Sequence, residues 1–199
     1  PVYFRNQPLG CTATIIYQMY QENQITPSRE TAGLLCAAII SDTLLFQSPT
    51  CTPMDEATAR TLAQIAGINI DEFAKEMFKA GSNLANKSVS EICFQDFKEF
   101  HVNELTFGVG QINSMSSEEL QEIREKVCPE LPDVLKESGL DMVFFMLTNI
   151  VDQSTELLCC GGSARQTVID AFELPEDTDQ IVLNGVVSRK KQLIPTLVS

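Results

Sequence analysis

The sequence predicts an α/β chain in two parts: a helix-rich stretch up to Gly81, then a mixed sheet with helices. Three observations predict it. Helix start signals alternate with glycine stops through Gly81, a polar run follows, and beyond it apolar residues recur first at period two and then in continuous strand-length runs.

In the first part, Ile15, Ile16, Met19 and Tyr20 give a helical spacing within Gly10 to about Gln24. Thr26 and Pro27 read as N-cap and first helical residue of a second helix, whose Ala32 to Ile40 run predicts burial on most faces. Thr52-Pro53-Met54-Asp55 repeats the start signal with an acid at the capping-box position, and Gly67 stops that helix. A further helix over Asp71 to Ala80 ends at Gly81. The boundary falls after residue 82, with 83–88 as a linker or hinge, which gives segments 1–82 and 89–199.

In the second part, Phe97 to Val102 alternates as a strand and Leu105 to Ile112 reads as its hairpin partner. Ser116 to Glu119 opens a helix that Pro129 and Pro132 break and Gly139 closes. Strands are predicted over Met142 to Val151, Glu156 to Cys160 and Gln180 to Val187, with a helix over Ser163 to Phe172.

Charge and cysteine content narrow the function. A net charge of -13 argues against nucleic acid and anionic membrane as partners, because both need a basic surface. Any anionic ligand must then be small and locally held. The 7 cysteines form neither a CxxC spacing nor a disulfide framework and read as reduced thiols. No run reaches the roughly 20 apolar residues of a membrane span, and no export signal is visible, so the expectation is a soluble cytoplasmic protein. The chain opens on Pro1-Val2-Tyr3-Phe4-Arg5, strand-like and without Met, as a piece of a longer protein would.

Against that acidic background, Arg189-Lys190-Lys191 concentrates cations between Val186-Val187 and Leu193-Ile194. Such a run is either a solvated turn or an anion clamp, since Arg offers a planar fork to phosphate oxygens and Lys a mobile point charge. Lys98, on a strand between Phe97 and Phe100 with Asp96 sharing its polar face, reads by itself as a solvated lysine or an edge-strand gatekeeper. Asp42 lies among Ile39, Ile40, Leu44 and Leu45, where a buried carboxylate needs compensation, and a divalent cation is one group that could supply it. The alternative is that Ser41-Asp42-Thr43 caps or kinks a helix end. Gly161-Gly162 is either a phosphate nest or a tight strand-to-helix turn. His101, the only histidine, cannot support a polyhistidine site.

The stretches PVYFRNQPLGCTAT, AAIISDTLLFQSPTCT, DFKEF and GVVSRKKQLIP, in that order, resemble the family II inorganic pyrophosphatases of the DHH phosphoesterase superfamily. The resemblance implies the remainder of a DHH domain, helix-rich and taken from a parallel-sheet domain, followed by a mixed-sheet DHH-associated domain. It implies hydrolysis of pyrophosphate to two phosphates by a cytoplasmic homodimer using Mn²⁺ or Co²⁺, with Mg²⁺ accompanying the substrate. A binuclear centre would supply a hydroxide nucleophile. Asp42 matches the aspartate of the SD[ST] motif that binds that centre, Lys98 the lysine of DxKxF, and Arg189 and Lys190 the RK of SRKKQ, which hold the phosphoryl groups. The family's early histidine and aspartate ligands and its DHH motif are not in this sequence; they are expected upstream of Pro1, so this chain alone is expected to bind metal poorly and to have little or no activity. The alternatives are an exopolyphosphatase or other DHH phosphoesterase, and a non-catalytic anion-binding or regulatory fragment.

Overall fold

The computed structural model describes residues 2–81, 87–102 and 105–199. The expected hinge residues 83–86 lie outside them. The chain divides into two compact units that meet in sequence at Phe78 and Lys79.

In the first unit, helices α1 (Thr12–Glu22), α2 (Arg29–Asp42), α3 (Pro53–Ala66) and most of α4 (Ile70–Gly81) surround Tyr17, Cys36, Ile39, Ile40, Leu62 and Ile70. The α3 start is as the sequence predicts: the Thr52 hydroxyl accepts from the Asp55 N–H, the Asp55 carboxylate accepts from the Thr52 N–H, and Gly67 ends the helix in the left-handed region. At α2 the structure corrects two expectations. The N-cap is Ser28, accepting from the Thr31 N–H, two residues after the predicted Thr26. Only Ala32, Cys36, Ile39 and Ile40 are buried, at spacings that define one face, and Leu34 is 73% exposed. The strand-like opening, Val2 to Phe4, is exposed and in no sheet.

The second unit is a five-stranded sheet in the order β1-β2-β3-β4-β5. Its strands are β1 (Phe97–Val102), β2 (Leu105–Ser114), β3 (Met142–Asn149), β4 (Ser154–Cys160) and β5 (Val182–Asn184). Only the β2–β3 pair is parallel. Every residue of β3 is buried, and its alternation splits the core in two. Val143, Phe145 and Leu147 pack under α5 (Val89–Phe94), α6 (Ser117–Val127) and α7 (Leu131–Ser138); Phe144 and Met146 pack under α8 (Ala164–Ala171) and the carboxyl-terminal turn ending in α9 (Ile194–Leu197).

Helix α5 lies just past the expected linker and is absent from the sequence-based expectation; Ser88, the last residue of that linker, forms a capping box with Glu91. The last strand is shorter than Gln180 to Val187. Gly185 turns at φ 76°, and the next two carbonyls leave the ladder for side chains: Val186 accepts from the Thr155 hydroxyl at 2.6 Å and Val187 from Gln111 Nε2 at 3.1 Å.

Gly161-Gly162 forms a tight turn between β4 and α8. Gly161 has φ 101°, and a Cβ there would meet the Asp141 carbonyl oxygen at 2.4 Å. Gly161→Ala is expected to destabilise the second unit by about 2 kcal/mol or more, read as a lowered urea midpoint, because both backbone strain and backbone contact oppose the methyl.

Candidate functional site

The cation run is a built element. Arg189–Leu193 form one π-helical turn, started by the Ser188 hydroxyl, which accepts from the Lys191 N–H, and planted by fully buried Leu193. Gln192 folds the approach: its Oε1 accepts from the Val187 and Ser188 N–H groups at 3.0 Å each, and its Nε2 donates to the Gly185 carbonyl at 2.6 Å. The alternation of Val186, Val187, Leu193 and Ile194 around the charges thus serves to anchor the turn against the sheet.

Within that turn the three cations differ. Arg189 is only 7% exposed, whereas Lys190 and Lys191 are exposed. Arg189 Nη1 donates to the Asp96 carbonyl at 2.7 Å and the Val109 carbonyl at 2.9 Å, and Nη2 donates to Asp96 Oδ1 at 2.8 Å. An ionised donor shared among a carboxylate and two carbonyls has its burial compensated. Arg189 is therefore no solvated turn residue.

Lys98 is exposed on edge strand β1, in register opposite Val109. Cross-strand partners share a sheet face. Lys98 is thus paired with the residue whose carbonyl holds Arg189, and Lys190 follows Arg189 in the turn. Asp96, two residues before Lys98, is the residue whose carbonyl and carboxylate both hold Arg189.

Asp42 sits elsewhere, as the last residue of α2, and is exposed. That corrects the premise that it is buried among Ile39, Ile40, Leu44 and Leu45. Fully buried Thr43 takes the inward position: its hydroxyl donates to the Ile39 carbonyl at 2.6 Å and accepts from the Phe46 N–H at 3.2 Å. The helix end is closed by Thr43, and the Asp42 carboxylate is left toward solvent.

The first unit does bury a carboxylate, that of Asp55. Its Oδ2 accepts from the N–H of Gly10 at 2.8 Å and from the N–H and hydroxyl of Thr52 at 2.9 and 2.6 Å; its Oδ1 accepts from the N–H of Cys11 at 3.3 Å and the Thr14 hydroxyl at 2.5 Å. Burial pushes the carboxyl up, but the hydrogen bonds from Thr14, Thr52 and Gly10 outweigh it and hold it below its ordinary value. Asp55 ties the Gly10–Thr14 segment to the start of α3. Cys11, so held, caps α1 by accepting from the Ala13 N–H. Burial first, and then the neighbouring Asp42 carboxylate, push its thiol up to about 12, so the group beside Asp42 is neutral.

For a metal, the expected ligand Asp42 offers an exposed carboxylate beside the neutral Cys11 thiol, while the oxygens of Asp55 are already occupied by donors. Among the described residues no group of three or more His, Cys, Asp or Glu side chains is placed to hold a metal ion. The described residues do not form a metal centre by themselves. All seven cysteines are free thiols, as expected. An open cavity of about 280 Å³ beside β4 is lined by Arg124, Glu156 and Arg165 among others and includes none of the expected site residues. No helix among the described residues is long and apolar enough to cross a membrane.

Comparison with known proteins gives one answer by three routes. The DHHA2 domain family matches residues 75–199. A cobalt-dependent inorganic pyrophosphatase of Clostridium perfringens is 46% identical over 99% of this chain and 36% of its own length. A Bacillus cereus protein named as a manganese-dependent inorganic pyrophosphatase is 41% identical over 99% of this chain and 63% of its own. The chain thus spans between about a third and two thirds of these relatives' lengths. A crystal structure of a Methanococcus jannaschii protein assigned to the family II inorganic pyrophosphatases superposes with a TM-score of 0.80 at 37% identity, over 99% of this chain and 66% of that one. With the mixed five-stranded sheet and these matches agreeing, the chain belongs to the DHHA2 domain family.

Proposed function

We propose that this chain is part of an enzyme that hydrolyses inorganic pyrophosphate to two phosphates, in the cytoplasm and as a homodimer. The observation that carries the reading is Arg189, a buried guanidinium fixed by three hydrogen bonds beside Lys98 and Lys190 in a chain of net charge -13. Concentrating cations against such a background suits a compact polyanion, and fixed donors act on phosphoryl oxygens without reorganising as charge shifts in the transition state. The names of the relatives support pyrophosphate as that anion.

In this reading Lys98, Arg189 and Lys190 bind and neutralise the phosphoryl groups, and Asp42 contributes one carboxylate to a binuclear Mn²⁺ or Co²⁺ centre, with Mg²⁺ accompanying the substrate. Such a centre, when bound, supplies hydroxide near neutral pH. Its other ligands are not among the described residues, so the chain by itself is inactive.

Phosphate release from pyrophosphate with Mn²⁺ or Co²⁺ tests this, on the chain alone and on the chain joined to the portion of the Bacillus cereus relative that it does not match. The expected result is no release from the first and metal-dependent release from the second. Preference for tripolyphosphate would favour an exopolyphosphatase; no release from a folded, metal-loaded joined protein would sink the hydrolytic reading.

A further inference from the structure

We propose that Asp96 is a positioning residue that locks Arg189 so that one edge of its guanidinium, the Nε/Nη2 edge, is presented as a fork to a single phosphoryl group. The inference rests on the phosphoryl-binding reading of Arg189 and goes beyond it by assigning which donors face the ligand and which residue aims them.

The assignment follows from counting donors. A guanidinium carries five N–H bonds in one plane, two on each Nη and one on Nε. Both Nη1 hydrogens are used, toward the carbonyls of Asp96 and Val109. One Nη2 hydrogen goes to Asp96 Oδ1. Because Asp96 takes Nη1 with its carbonyl and Nη2 with its carboxylate, it covers the end of the group where the two Nη atoms face each other. The hydrogens left are the second on Nη2 and that on Nε. These two are parallel and lie on one side, the spacing at which a guanidinium meets two oxygens of one phosphate or carboxylate.

Asp96 is well placed to set that aim. Its backbone precedes β1, and its carbonyl also accepts from the Gln111 N–H of β2 at 3.2 Å, so the residue is fixed to the sheet. Its side chain is 49% exposed against 8% for that of Arg189. The charge pair is thus half in solvent, and its main effect is on direction. Lys98 follows two residues later, on β1.

Two measurements on the 199-residue chain test this, with inorganic pyrophosphate as the probe. The first is ¹⁵N NMR of the arginine side chains, in which a locked guanidinium shows slow rotation and resolved Nη signals. Arg189 is expected to be locked at both Nη groups in the wild type, released at Nη2 in Asp96→Ala while the two backbone carbonyls still hold Nη1, and partly held at Nη2 in Asp96→Asn, whose amide oxygen still accepts. The second is pyrophosphate affinity, expected to fall about tenfold in Asp96→Ala, the loss of one hydrogen bond between ionised groups, and less in Asp96→Asn. A purely structural role would leave the Arg189 signals of a folded variant unchanged. Arg189 Nη2 equally locked in folded Asp96→Ala or Asp96→Asn, or undiminished affinity in a variant with a freed Nη2, overturns the proposal. A locked Arg189 whose Nε–H signal ignores pyrophosphate in the wild type overturns the ligand-facing fork and the phosphoryl reading with it, while the NMR comparison still reports separately on the Asp96 lock.

Discussion

Asp55→Ala is expected to lower the stability of the first unit by on the order of 3–5 kcal/mol, one of the largest single-site losses this chain should show. Removing the carboxylate leaves the N–H groups of Gly10, Cys11 and Thr52 and the hydroxyls of Thr14 and Thr52 without their acceptor, with Cys11 and Thr14 buried and Gly10 and Thr52 partly so. Asp55→Asn should be little better. Each carboxylate oxygen accepts from at least one backbone N–H, so an amide NH₂ would face a donor whichever way it is turned. The measurement is simple because the chain has no Trp and its three tyrosines, Tyr3, Tyr17 and Tyr20, all precede α2. Tyrosine fluorescence during urea unfolding therefore reports on the first unit separately from the second. An unchanged midpoint in either variant would show that the five contacts are dispensable.

The same carboxyl predicts a pH dependence. Its value in the folded chain is lowered, so the unfolded chain binds the proton more readily and Asp55 stabilises the fold above the unfolded value of about 3.9. That stability is lost as pH falls through the folded value. In Asp55→Ala this part of the acid sensitivity should be absent, and the gap between wild type and variant should narrow on acidification below about pH 4.

Asp55 also marks the limit of what spacing reveals. Its place as the acid of a capping box was legible, because that contact is local: Thr52 and Asp55 are three residues apart. Its grip on Gly10 and Thr14, more than forty residues back, has no periodic signature. The same divide runs through the fold. The strands of the hairpin and the helix stops at Gly67 and Gly139 follow from local chemistry, whereas the end of β5 depends on Thr155 and Gln111 capturing the Val186 and Val187 carbonyls from across the sheet. At the site, residue types pointed to Lys98, Arg189 and Lys190, but the Arg189–Asp96 link spans 93 positions and was out of reach. Asp42 shows the converse error: an apolar neighbourhood in sequence suggested burial, yet at the last turn of a helix one residue of phase separates exposed Asp42 from buried Thr43.

In a chain competent for hydrolysis, Arg189→Ala is expected to reduce turnover by about 10²- to 10³-fold, as removal of a fixed donor from a developing oxyanion does. The same change should destabilise the second unit by about 1–3 kcal/mol, since the carbonyls of Asp96 and Val109 lose a buried donor. The two effects must be separated, and Lys190 and a lysine replacement do so. Lys190 is exposed in the same turn, so Lys190→Ala should weaken pyrophosphate binding with the unfolding midpoint unchanged. Arg189→Lys keeps the charge, but one ammonium cannot span the Asp96 and Val109 oxygens and still offer two parallel donors, so it should restore little of the turnover. A turnover loss below about threefold in folded Arg189→Ala would remove Arg189 from the chemistry, because a charge contact made in the transition state is typically worth far more. Full recovery in Arg189→Lys would mean that charge alone matters, and the fixed fork would then have no part in the reaction.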